Sequence, residues 1–118
     1  MAPLTTEKAT RYRQLIRQVM TEHAPYHGVR KLEEFDTQFL CDDEQGHYYI
    51  MRVGWDGLTR IHACLIHVDL KGEKIWVQRD GTEYGVANEF VDLGVPREDI
   101  VLGFQAPYKR PYTDFATA

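Results

Sequence analysis

The stretch HYYIMRVGWDGLTRIHACLIHVDLKGEKIWVQRD, from His47 to Asp80, decides the fold. Between His47 and Val53 the residues alternate, with Tyr49, Met51 and Val53 facing one way, which is the period-two pattern of a half-buried strand. Gly54-Trp55-Asp56-Gly57 punctuates it. Thr59 to Leu70 then carries apolar residues on both faces, Ile61, Ala63 and Leu65 against Cys64, Ile66 and Val68, and a run of that kind belongs in the middle of a sheet. Lys71-Gly72 signals a tight turn, after which Lys74-Ile75-Trp76-Val77-Gln78 supplies a further strand.

Working outward toward the N-terminus, residues from about Val29 to Cys41 also alternate. Phe35, Thr37, Phe39 and Cys41 lie on one face, and Glu34, Asp36 and Gln38 on the other. The polar turn Asp42-Asp43-Glu44-Gln45-Gly46 joins this run to His47, so the two form a hairpin. Farther back, Tyr12, Leu15, Ile16, Val19 and Met20 recur at the spacing of one helical stripe, with Thr5 or Thr6 as cap and Glu7 in the first turn. Pro25 ends that helix at Ala24, and Tyr26-His27-Gly28 reads as a connecting loop.

Toward the C-terminus, Asp80 with Glu83 three residues later is a capping-box arrangement, with Thr82 as a competing cap, and Val86, Phe90 and Leu93 keep helical spacing. Gly94 and Pro96 supply the stop. Ile100 to Phe104 is short and apolar, as a last strand should be. The tail, Gln105 to Ala118, is aromatic and basic without clear periodicity. The expected architecture is α+β: an N-terminal helix, a four-stranded antiparallel meander, a second helix, a short final strand and a C-terminal tail, in one domain spanning residues 1–118. At 118 residues, 43% hydrophobic, the chain suffices for one core but hardly for two.

Composition closes several functional classes. The chain has no serine, so no serine nucleophile can operate. It has no phosphate-loop, dinucleotide or zinc-protease signature. A formal charge of −4 argues against unaided, non-specific affinity for nucleic acid, which comes from Lys and Arg neutralising phosphates. Cys41 and Cys64 lack C-x-x-C spacing and read as free thiols of a reducing compartment. Met1 to Thr6 lacks the basic and apolar regions of a signal peptide, and no window reaches a membrane-spanning length, which predicts a cytoplasmic protein.

Four constellations merit weighing. His62 and Cys64 share a strand face and offer two ligands to a soft metal, but a third and fourth are missing; His67 falls on the other face, and His23, His27 and His47 lie in separate elements. The residues therefore predict no metal site and no cofactor. Asp56 with Asp69-Leu70-Lys71 echoes the two carboxylates and lysine of metal-dependent nucleases, against the simpler reading of Lys71-Gly72 as a charged hairpin turn. Lys8, Arg11, Arg13 and Arg17 form a basic face on the first helix, suited to phosphates or to solvent. Tyr108, Lys109, Arg110 and Tyr112 combine residue types favoured in protein interfaces with rigid prolines, and are the candidate partner surface.

Several segments taken together carry a resemblance. Val53-Gly54-Trp55-Asp56, Cys64-Leu65-Ile66-His67-Val68-Asp69, Lys74 through Glu83, and Gly94-Val95-Pro96 through Phe104 into Ala106-Pro107-Tyr108-Lys109-Arg110 resemble the XisI family, over Tyr12 to Ala116. These are excision-controlling factors associated with the fdxN DNA element of heterocyst-forming cyanobacteria. The resemblance implies a non-catalytic accessory role in programmed, site-specific DNA excision, beside a separate recombinase and a protein partner of XisH type. It supplies no catalytic residues, and Gln105 stands where the family typically shows His. Two further expectations follow from the residues: the sheet edge can serve a partner or a homodimer, and direct DNA contact would use the basic helix and the tail.

Overall fold

A computed structural model describes residues 6–24 and 33–118. The first helix, α1 (Glu7–His23), begins where the Thr6 hydroxyl accepts the Ala9 N–H at 3.1 Å, satisfying a donor that the first turn leaves without an intrahelical partner. Its buried stripe is Ala9, Tyr12, Ile16, Val19 and Met20, with Leu15 at the margin. Pro25 to Gly28 and the expected strand start near Val29 lie outside the described residues.

The sheet contains β1 (Glu33–Asp42), β2 (His47–Asp56), β3 (Thr59–Lys71), β4 (Lys74–Asp80) and β5 (Ile100–Leu102), in that spatial order. The first four form the expected antiparallel meander, with β3 central; β5 adds in parallel beside β4, pairing Ile75 with Ile100 and Val77 with Leu102. A parallel neighbour requires a crossover, and α2 (Val86–Asp92) provides it. The last strand stops at Leu102, short of Phe104. There the Gly103 N–H donates to the Val77 carbonyl at 2.8 Å, and a Cβ on Gly103 would press on the end of the Gln78 side chain.

In β2 the fully buried residues are Tyr48 and Ile50, so Tyr49, Met51 and Val53 form the uncovered face. Cross-strand partners share a face, and Tyr48 stands opposite Cys41 and Val68, Ile50 opposite Phe39 and Ile66. A register shift resolves the two-sided apolar run in β3. Ile50 pairs with Ile66 but Met51 with Cys64, leaving Leu65 as an extra residue, so Ile66, Val68 and Leu70 all reach the core. A second shift makes Gln78 the extra residue of β4.

The second helix does not open at Asp80. Asp80 closes β4, and the Gly81 N–H still donates to the Leu65 carbonyl at 2.8 Å, holding the chain to the sheet. Gly85, at φ 95°, makes the turn into α2, and Asp80 caps from a distance: its Oδ2 accepts the Val86 N–H at 2.8 Å while its Oδ1 accepts the Thr82 N–H at 2.9 Å. The helix stops as its sequence dictates. The Gly94 N–H donates to the Val91 carbonyl and the Val95 N–H to the Phe90 carbonyl, with Gly94 at φ 96° and Val95 buried in the same cluster as Phe90.

Both helices contribute to one core, in which Tyr12, Ile16, Met20, Val86 and Phe90 pack with Tyr48, Ile50, Ile66, Val68, Ile75 and Val77. The approach to β5 is tied to α1 by a buried polar contact: the Tyr12 hydroxyl donates to Asp99 Oδ2, and Lys8 Nζ lies 2.8 Å from the same oxygen. Burial pushes the Tyr12 hydroxyl pKa up, and the bond to Asp99 adds to it. Burial alone would raise the Asp99 carboxyl, but the bonds from Lys8 and Tyr12 outweigh it and hold it below its ordinary value. Tyr12→Phe removes one donor from a buried carboxylate and is expected to cost about 1–3 kcal/mol, read as a lower urea midpoint with an unchanged slope.

Candidate functional site

With α1 and α2 packed on one face, the other face of the sheet has to satisfy its own polar groups. Asp69 sits there, opposite His47 on β2 and Trp76 on β4, and its side chain is only 8% exposed. His47 Nδ1 and His67 Nε2 each lie 2.8 Å from the same oxygen, Asp69 Oδ1. An ionised carboxylate only accepts, so both rings present N–H groups to it. Gln78 Nε2 donates to the second oxygen, Oδ2, at 3.2 Å. The Tyr49 ring stacks on His67 with centroids 4.1 Å apart and planes 23° from parallel, which orients the imidazole. Burial works to raise the Asp69 carboxyl, and the hydrogen bonds and charges of His47 and His67 outweigh it, leaving its pKa below the ordinary value.

Two adjacent strands, β2 and β3, thus build a cluster of two imidazoles and a carboxylate whose donor atoms lie within 4.8 Å of one another. Spacing along the chain keeps His47 and His67 apart, because they belong to separate elements. His67 and Asp69, two apart on one strand, were a legible signal. His47 was not. Counting residue by residue from the Asp56–Thr59 pair would set His47 opposite Val68, and only the bulge at Leu65 moves it opposite Asp69.

The nuclease-like constellation does not assemble. Asp56 ends β2 beside Thr59, whereas Asp69 is ten residues farther along β3, about 30 Å away at strand rise. Lys71, the exposed last residue of β3, places its Nζ 4.5 Å from the Trp76 ring centre. His62 is exposed, and Cys64 donates its thiol to the Ile66 carbonyl at 3.3 Å, while burial pushes its pKa up, away from a reactive thiolate.

The four cations of α1 do not share one face. At about 100° per residue they fall on two flanks of the apolar stripe, Lys8 and Arg11 on one and Arg13 and Arg17 on the other. Lys8 pairs with Asp99, and Arg17 holds Asp43 in a fork, Nε 3.1 Å from both oxygens and the terminal nitrogen 2.6 Å from Oδ2. Arg11 lies beside the Tyr12 ring, and the charge of Arg13 helps to lower the Asp43 carboxyl.

The tail divides in two. Pro107–Tyr112 forms a 3-10 segment anchored by Arg110, which donates to the carbonyls of Gln105, Thr117 and Gly103 and lies over Trp76 at 5.1 Å. Arg110 therefore faces inward. Tyr108, Lys109 and Tyr112 face outward, with Tyr108 72% and Tyr112 89% exposed. Beyond them the Ala116 N–H donates to the Ile100 carbonyl at 2.8 Å, covering the free edge of β5 and leaving β1 as the open edge of the sheet. No helix among the described residues is long and apolar enough to cross a membrane.

These features define an α+β domain with one helix-covered sheet face and one face free of helices that carries the polar cluster, flanked by an aromatic tail. Residues 6–117 match the family described as XisI protein, and the chain belongs to the XisI family. Among solved structures it is similar to a XisI-like protein from Anabaena variabilis, at 46% identity and a TM-score of 0.84, covering 92% of this chain and 98% of that one. It is also similar to the fdxN element excision controlling factor XisI from the same organism, at 28% identity and a TM-score of 0.81, covering 95% of this chain and 100% of that one. No curated protein matches.

Asp69→Asn replaces an acceptor by an amide that must turn an N–H toward one of the donors around it, and is expected to destabilise the fold by about 1–3 kcal/mol at neutral pH. Because the folded pKa lies below the ordinary 3.8, the wild-type advantage is present above that value and disappears as pH falls through the lowered one. Urea unfolding of both proteins at neutral pH and near pH 3 checks the sign.

Proposed function

We propose that this chain is a non-catalytic excision-controlling factor that acts on site-specific DNA excision through a protein partner of XisH type. The observation that carries the reading is the outward pair Tyr108 and Tyr112, 72% and 89% exposed, on a segment whose inward side is held rigid by Arg110. Large aromatics presented on a pre-ordered segment supply contact area at low entropic cost, and both rings stand mostly in solvent. Membership of the XisI family supports the accessory role. The negative net charge supports a protein, and not the DNA backbone, as the direct contact.

The outer edge of β1 is the second surface of this reading, where a partner or a second copy of the chain adds a strand. Two free cysteines suit the reducing cytoplasm in which such a complex would work. Arg110 acts as an anchor of the interface and not as a contact.

Titration of the partner against the wild-type chain and the Tyr108→Ala/Tyr112→Ala double variant tests the assignment. Truncating two interface aromatics at about 1–2 kcal/mol each is expected to weaken binding at least tenfold without lowering the thermal midpoint. Unchanged affinity removes the tail from the interface.

A further inference from the structure

We propose that His47, His67 and Asp69 bind a divalent transition-metal ion, with zinc the ion their chemistry fits best. Two imidazoles and one carboxylate form a mixed nitrogen and oxygen donor set, suited to zinc and its neighbours; magnesium and calcium require a cage of oxygens. Three protein ligands with a fourth position left for water is the pattern of an open zinc site. Here the open position faces solvent on the His47 side, where that side chain is 46% exposed.

The donor atoms already converge on one point. Oδ1 of Asp69 lies 2.8 Å from both ring nitrogens, and all three donor atoms fall within 4.8 Å of one another. Tetrahedral zinc with bonds of about 2.0 Å holds its ligands about 3.3 Å apart, so each N···O contact opens by about half an ångström and the two ring nitrogens, within 4.8 Å, close by up to about 1.5 Å. The exposed His47 ring can supply that movement. The proton balance also closes. Each neutral imidazole carries one proton, which moves from the nitrogen facing Oδ1 to the other ring nitrogen, Nε2 of His47 and Nδ1 of His67, and the freed lone pairs bind the ion.

Supporting groups are already in place. Gln78 engages Oδ2 and leaves Oδ1 for the ion, and Tyr49 fixes the plane of His67 by stacking. All the groups sit on strands β2, β3 and β4, which are hydrogen-bonded neighbours in the sheet and not loops. No other group of three His, Cys, Asp or Glu side chains among the described residues converges in this way. The ion would cross-link β2 to β3 on the uncovered face, independently of the tail and of any partner.

The experiment is calorimetric titration of the untagged full-length chain with zinc chloride, paired with visible absorption of the cobalt(II) form. One ion per chain is expected, with cobalt bands characteristic of four-coordination that zinc abolishes. His47→Gln, at a half-exposed side chain that leaves the core untouched, and His67→Ala should each weaken zinc binding at least tenfold. Gln78→Ala should weaken it about tenfold while keeping one ion bound. His62→Ala, at an exposed site, should bind as wild type. Absence of binding at millimolar zinc overturns the proposal, as does an affinity unchanged by His47→Gln in a chain whose circular dichroism is native, or a loss of binding in His62→Ala.

Discussion

Placing both helices on one side of the sheet is the constraint on which the rest of the molecule depends. Tyr48, Ile50, Ile66, Val68, Ile75 and Val77 gain their burial from α1 and α2. Their strand neighbours gain none, and must find partners in the plane of the opposite face. For Asp69 this is acute, because flanking Val68 and Leu70 lock its strand into the core and leave the carboxylate no freedom to turn toward water. A carboxylate so placed is tolerated only with hydrogen bonds to offset its desolvation, and His47, His67 and Gln78 provide them. The polar cluster is thus a consequence of one-sided packing.

The same economy governs the chain ends. Asp99 would be costly where it lies, yet the Tyr12 hydroxyl and Lys8 ammonium make it a bolt between the first helix and the last strand. Asp80 holds two turns at once by accepting from Thr82 and Val86. Arg110 satisfies three carbonyls of the irregular tail and packs over Trp76, whose other cationic neighbour is Lys71. Lys8, Arg17 and Arg110, which a reading of composition assigns to binding surfaces, are therefore spent on the fold. What is left outward on the tail is Lys109 and two large aromatics, Tyr108 and Tyr112.

Much of the architecture was legible because local rules and tertiary packing agree. The stripe of α1, the Gly94 stop and the four-stranded meander follow from side-chain period and turn chemistry, and each appears where those rules put it. The start of α2 departs from the capping spacing of Asp80 to Glu83, because the Gly81 bond to Leu65 and the positive φ of Gly85 leave no mark in that spacing. The basic face of α1 failed differently: cations close in sequence fall on opposite flanks of a helix, and acidic groups distant in sequence claim two of them.

By itself the sequence determined the kinds of element, their order, the family and the chemistry excluded for want of residues, because all of these depend on spacing over a few positions or on simple presence. Only the tertiary structure decided which face of β2 is covered and that His47 meets Asp69, because both hang on a single extra residue at Leu65 that shifts the register of one strand against the next. Residue spacing along one strand carries no record of that shift; it is set by which side chains the helices can bury.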